Sequence, residues 1–341
     1  MKILYGVQGT GNGHFSRAIA LTPELAKYGE VDILVSGSQH DIKLPFEVNY
    51  TYAGVGFQFG QKGGIDITQT IKGQRPIRFI KDVWQLPVDK YDLVISDFEP
   101  VTAWACRLRQ KPCVALSHQA SFLSTKTPRP IRKSVAAETV MRHYAPTSSW
   151  YGFHFESYDE NIYEPIIRQS IRQLSVSDDG HYVVYLPAFS SQYLLSVFKK
   201  IKDVKWKIYV KGRYNVCHHG HITLMPVGHP QWKQDIASCR GVIMGAGFEG
   251  PSEMLYLGKK LMVIPMSNQY EQQCNAEALR RLGVTVMSQL AATDIHEIEN
   301  WLNLSEVLQL PFAFKTDEIV EKVVHHSFPV YQTVPQLVSS K

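Results

Sequence analysis

Short apolar runs of strand length punctuate the first half of the chain: Ile3 to Val7, Val31 to Ser36, Leu93 to Ser96 and Cys113 to Ser117. Nearly unbroken apolarity over so few residues is the pattern of parallel strands buried on both faces. Helix-length segments lie between them. Arg17 to Tyr28 has apolar residues at helical spacing after a glycine-rich turn, and Pro100 to Arg109 follows the strand that ends at Asp97. This alternation predicts an α/β fold with a parallel sheet. The pattern restarts near His181, with strands at Tyr182 to Leu186, Trp206 to Val210, Gly241 to Met244 and Leu261 to Pro265. Helices are expected there at Gln192 to Ile201, Trp232 to Ala237, Pro251 to Leu257 and Gln272 to Leu282, with a last one at Asp317 to His326 before a polar, proline-containing tail. Between the two series a strand-like Phe153 to Ser157 gives way to an acidic stretch ending in Pro165, which marks the join.

The expected division is residues 1–164, residues 165–320, and a helix and tail over 321–341. Two such sheets face a central cleft, and open α/β sheets bind ligands at the carboxyl ends of their strands.

Composition narrows the class. A chain of 341 residues favours two domains, and 44% hydrophobic with 20% charged residues excludes disorder. Five cysteines without a C-x-x-C pair suggest neither a disulfide framework nor a zinc cage. Without a signal-like start or a run of 18 apolar residues, a cytoplasmic protein with no transmembrane segment is expected. The net charge of +5 is unevenly spread: Val101 to Arg142 holds eight basic residues (Arg107, Arg109, Lys111, Lys126, Arg129, Arg132, Lys133, Arg142) against Glu138. A solvated surface is one reading. Attraction to an anionic acceptor or to a lipid-linked acceptor at a membrane surface is another. The same charge leaves nucleic acid open, with no motif in support.

Candidate chemistry sits at the strand ends. Gly9-Thr10-Gly11-Asn12-Gly13-His14 follows the first strand and opens a helix, so its amides can approach an anion. A dinucleotide fingerprint would need glycine where His14 stands and an acid near Ser36, which disfavours a nicotinamide enzyme. His14 at the lip of this loop can accept a proton from a hydroxyl, or merely cap the helix. Asp97 either caps the helix after Pro100 or, if the first and fourth strands adjoin, orients His14 as in a His-Asp dyad. His118 touches the acceptor or closes a turn. In the second half Gly245-Ala246-Gly247-Phe248-Glu249-Gly250 offers amides to a phosphate, Glu253 can accept ribose hydroxyls, and Asn268 to Ala276 suits a hydroxyl-rich sugar.

The order and spacing of the glycine-rich turn, Glu253, Gly258, Pro265 and Gln272-Gln273-x-Asn275-Ala276 resemble the donor region of GT-B glycosyltransferases, including the UDP-glycosyltransferases and MurG. The Gly9 to His14 loop looks like their acceptor-side loop, so the resemblance covers most of the chain. It implies two Rossmann-like domains and a nucleotide sugar, UDP-linked, as co-substrate with no other cofactor. It implies that His14 is the general base, with Gly11, Asn12 and Gly13 toward the acceptor. Gly245, Ala246, Gly247 and Phe248 would lie at the donor diphosphate, Glu253 at its ribose, and Gln269, Glu271, Gln272, Gln273 and Asn275 near its sugar. Ser190 and Ser191 would form a second phosphate turn, Lys211 and Arg213 would help as cations, and His229 would stand near the base. Where many UDP-glycosyltransferases carry His-Gly-Gly this chain has Gly245-Ala246-Gly247, and Glu271-Gln272 replaces a frequent Asp-Gln pair, which leaves the donor sugar open. The implied reaction is inverting transfer to an acceptor hydroxyl without a metal, since no D-x-D pair is present. A sugar-nucleotide 2-epimerase and a non-catalytic sugar-nucleotide binding protein remain as alternatives.

Overall fold

A computed structural model describes residues 1–39, 44–54, 76–291, 293–313 and 315–327. Seven parallel strands make the first sheet: β1 (Lys2–Thr10), β2 (Glu30–Gln39), β3 (Tyr50–Tyr52), β4 (Leu93–Asp97), β5 (Val114–Ser117), β6 (Ser149–Phe153) and β7 (Ile162–Tyr163), in the order β3-β2-β1-β4-β5-β6-β7. The second sheet holds β8 (His181–Tyr185), β9 (Lys205–Val210), β10 (Cys217–His219), β11 (Ile222–Pro226), β12 (Gly241–Gly245), β13 (Lys260–Ile264) and β14 (Thr285–Val286), in the order β10-β11-β9-β8-β12-β13-β14. Among the described residues only β10 runs antiparallel, to β11. Each sheet therefore reverses its strand order once, between β1 and β4 in the first and between β8 and β12 in the second.

Alternation along the strands decides which face each residue serves. Ile3, Tyr5 and Val7 of β1 and Leu93 and Ile95 of β4 pack under the helix Asn12–Leu25, while Leu4 and Val94 point to the other face. One apolar cluster runs from this face of the first sheet through Phe155, Ile167 and Phe248 to Val183, Val242 and Met244 of the second, so the two halves share a core. The helix Thr316–Ser327 returns to the first half, where Ile319, Val320 and Val323 lie in the same cluster as Leu21 and Leu25. The polar tail expected beyond it, residues 328–341, lies outside the described residues.

Three differences from the sequence reading have physical causes. The first helix starts at Asn12, before the expected Arg17, because Gly11 at φ 88° turns the chain directly into it. The strand expected at Phe153 to Ser157 is β6, ending at Phe153, its early residues Ser149 and Trp150 hidden by their partial exposure. The helix Pro76–Gln85 escapes an apolar-run reading because several of its large apolar side chains face outward.

Candidate active site

Both reversal points face each other across the cleft, with the Gly9–His14 loop leaving β1 on one side and the Gly245–Gly247 turn leaving β12 on the other. On the first side β1 and β4 are paired with Val7 opposite Asp97, so Asp97 continues the Leu93–Ile95 face and points at the helix that carries His14. His14 Nδ1 lies 2.8 Å from Asp97 Oδ1. The helix cap expected of Asp97 falls instead to Glu99, whose carboxylate accepts from the amides of Val101 and Thr102 at 2.7 and 2.6 Å.

Asp97 has further partners. Arg17, one helical turn after His14, donates Nε to Oδ2 at 2.9 Å and Nη2 to Oδ1 at 2.7 Å, and the Tyr5 hydroxyl stands 3.5 Å from Oδ2. Burial alone would raise the Asp97 pKa, but Arg17 and His14 outweigh it and hold the carboxyl below its ordinary value. Arg17 Nη2 also stands 3.2 Å from His14 Nδ1; in the tautomer that donates Nδ1–H to Asp97, Nε2 would keep its lone pair, the form a general base needs. His14 itself is 7% exposed.

The second half reaches across. Glu249, at the start of the helix Glu249–Tyr256, accepts from Arg17 Nη1, and a Cβ placed on Gly13 would overlap its carboxylate. The Phe248 ring stacks on His118 with centroids 4.0 Å apart and planes 3° from parallel. His118 is buried, its Nδ1 donating to the Phe153 carbonyl at 2.8 Å and its Nε2 lying 2.9 Å from Asn275 Oδ1, while Asn275 Nδ2 donates to the Ala246 carbonyl. Burial lowers the His118 pKa, opposed by Glu271. Gln119 donates to Glu271 at 3.1 Å. His118 and Asn275, expected on acceptor and donor respectively, thus meet each other.

The remaining donor-side residues are grouped less tightly. Gln272 Oε1 accepts from the Met266 amide, and Gln269 caps the helix Tyr270–Arg281, to which Gln273 also belongs. Space in front of Gly247 is open, and a Cβ on Gly245 would first meet the Gln272 side chain and the Ile264 carbonyl. Glu253 is 5% exposed and takes Arg168 Nε at 2.7 Å, yet burial raises its pKa further than Arg168 lowers it. Ser190 caps the helix Ser191–Phe198, on the β8 side of the reversal. Lys211 and Arg213 follow β9, Arg213 Nη1 bonding Cys217 Sγ, and His229 Nδ1 accepts from the Gln231 amide beyond β11.

Arg17 and Glu249 were not picked out from sequence. The signal for Arg17 is its i+3 spacing from His14, which places both on one helix face. Glu249 carries no such signal, because its partner lies 232 residues away. Among the described residues no group of three or more His, Cys, Asp or Glu side chains is arranged to hold a metal ion.

With this geometry in view, the sequence matches the family model described as glycosyl transferase family 1 over residues 1–305. The chain belongs to that family. Its enzymatic class is therefore that of a glycosyltransferase. Solved structures agree on the GT-B fold. SnogD from Streptomyces nogalater superposes with a TM-score of 0.55 at 13% identity, covering 96% of this chain and 95% of that one. MurG from Acinetobacter baumannii gives 0.54 at 14%, covering 95% and 98%, and UGT89C1 from Arabidopsis thaliana, solved with UDP, gives 0.54 at 11%, covering 96% and 91%. No curated protein matches the sequence. Within this family member the paired glycine-rich turns and the His14–Asp97 contact are the features with chemical content.

Proposed function

We propose that this glycosyltransferase moves a sugar from a nucleotide diphosphate, with UDP the expected carrier, to an acceptor hydroxyl by a single inverting displacement. The observation that carries the reading is the 2.8 Å contact of His14 with a buried, ionised Asp97 at the lip of a glycine loop facing the donor half. Nε2 of His14 would take the acceptor proton as the oxygen attacks the anomeric carbon and the bond to the diphosphate breaks. The departing charge would fall to the amides after Gly245 and Gly247 and at Ser190, with Lys211 or Arg213 assisting. Glu253 would read the ribose through the oxygen not engaged by Arg168. Gln269, Glu271, Gln272 and Gln273 would surround the sugar, and residues 1–164 and 165–320 would hold acceptor and donor. No metal ion has a part in this scheme.

His14→Ala should lower the transfer rate by about 10² to 10⁴, the range of a positioned general base, while UDP binding measured by calorimetry stays unchanged. A full transfer rate in that variant would remove the base assignment. Product analysis with donor alone separates transfer from epimerisation at the sugar.

Association with a membrane surface has one supporting observation. On the helix Pro76–Gln85, Ile77, Ile80 and Trp84 are 84%, 56% and 63% exposed, with Arg78 and Lys81 between them and the exposed Trp104 and Leu108 on the helix packed alongside. An apolar stripe interleaved with cations suits an anionic bilayer. No helix of the described residues is long and apolar enough to cross a membrane. Flotation with anionic but not neutral liposomes is the expected result, and its absence would remove this part of the reading.

A further inference from the structure

The basic segment from Val101 to Arg142 divides in the structure. Arg109 pairs with Asp89 at 3.4 Å, Lys126 with Asp159 at 2.8 Å and Arg129 with Glu138 at 2.6 Å. Arg107, Arg142 and the adjacent His143 reach no carboxylate among the described residues, and all three border one cavity of about 230 Å³. One side of this cavity is the carboxyl edge of the first sheet, at Ser96 of β4 and Ser117 of β5. The opposite side is the end of the helix Val135–His143 and the turn after it.

Its interior is built as well as charged. Phe98 is held at φ 55° with its ring stacked on Tyr144 at 4.8 Å, and Trp104 Nε1 donates to the Tyr144 carbonyl at 3.1 Å, which gives the cavity a firm aromatic wall. Gln119 is 8% exposed and lines the same space. Its Nε2 is spent on Glu271 of the donor half, whereas its Oε1 has no partner. A buried amide oxygen without a donor is costly, and a ligand hydroxyl arriving from the cavity would satisfy it. Two guanidinium groups that meet no carboxylate among the described residues, Arg107 lying over the Trp104 ring at 5.9 Å, and an imidazole at the rim offer the forked, charge-assisted bonds that phosphate oxygens accept.

We propose that this cavity, on the sheet face opposite His14, is a binding site for a phosphate-bearing ligand, held by Arg107, Arg142 and His143, whose body packs against Phe98 and presents a hydroxyl to Gln119. The inference stands on this cavity alone and is independent of the glycosyl-transfer reading.

The test is a titration of the full chain and of the double variant Arg107→Gln/Arg142→Gln with phenyl phosphate, with inorganic phosphate, and with phosphatidylcholine vesicles with and without phosphatidate. Both side chains are exposed, and a separate UDP titration checks that the variant is intact. Phenyl phosphate should bind the full chain more tightly than inorganic phosphate and lose about tenfold or more in the variant, the scale of a lost charge-assisted hydrogen bond. A response confined to phosphatidate vesicles and lost in the variant supports the same site with a lipid phosphate as its source. Equal binding of every probe by both proteins, or binding of none, overturns the proposal. Failure of UDP to bind either protein counts instead against the nucleotide-sugar reading, so the two failures are distinguishable.

Discussion

Arg17 lies between two carboxylates, Asp97 of its own half and Glu249 of the other, and is almost fully buried. Removing either partner leaves a buried cation short of compensation. Asp97→Asn should therefore cost about 3 kcal/mol of stability at pH 7, the scale of a broken buried pair. The pH dependence has a definite sign. Asp97 titrates below its unfolded value, so its contribution is whole above about pH 4 and is lost as the pH falls through the lower folded value. Glu253 runs the other way: burial raises its pKa, so its contribution is whole below about pH 4 and is lost as the pH rises through the raised value. Urea unfolding from pH 3 to 8 should then show Asp97→Asn removing part of the acid loss and Glu253→Gln removing part of the decline above it. The opposite pattern would contradict both shifts. His14 and Asp97 were legible in sequence because each closes or follows an apolar run at a glycine or proline. Arg17 is marked only by its i+3 spacing from His14, and Glu249 by nothing local, since its pairing spans 232 residues.

At the level of elements, strand β6 packs against the turn Gln119–Leu123 so closely that a Cβ on Gly152 would stand 2.6 Å from the Ser121 backbone. Backbone cannot yield as a side chain does. Gly152→Ala should cost about 1 to 3 kcal/mol, read as a lower melting temperature, and shift the adjacent His118. Lys260 supplies a second case. Its Nζ donates to the carbonyls of Leu302 and Leu304, closing the helix Ile295–Asn303 from a buried position, and burial lowers its pKa. The long strands were legible as apolar runs, whereas β3, β7 and β14 span only two or three residues and carry too little pattern to read. The helix Pro76–Gln85 was missed for the opposite reason: its pattern is strong, but its exposed side chains serve no core.

Across the whole molecule the cleft is bridged by Arg17–Glu249, His118–Asn275, Gln119–Glu271 and the Tyr270 hydroxyl on Glu138 at 2.8 Å. The Glu249 carboxylate fills the space before Gly13, where a diphosphate drawn to the facing amides would bring like charge. Glu249→Gln should accordingly bind UDP several-fold more tightly by calorimetry, since it removes both the repulsion and the ion pair that must open. Weaker binding would mean that Glu249 aids the ligand instead. The division into two sheets was plain from the restart of the pattern at His181, but the return of the last helix was not. That return links the earliest and latest parts of the chain. The helix Asn12–Leu25 stays without the packing of Ile319, Val320 and Val323 until they have been made, roughly 15 to 60 s later at ordinary rates of synthesis. Throughout translation the half made first therefore carries an uncovered apolar groove, and a chain truncated before Thr316 would keep it open to aggregation.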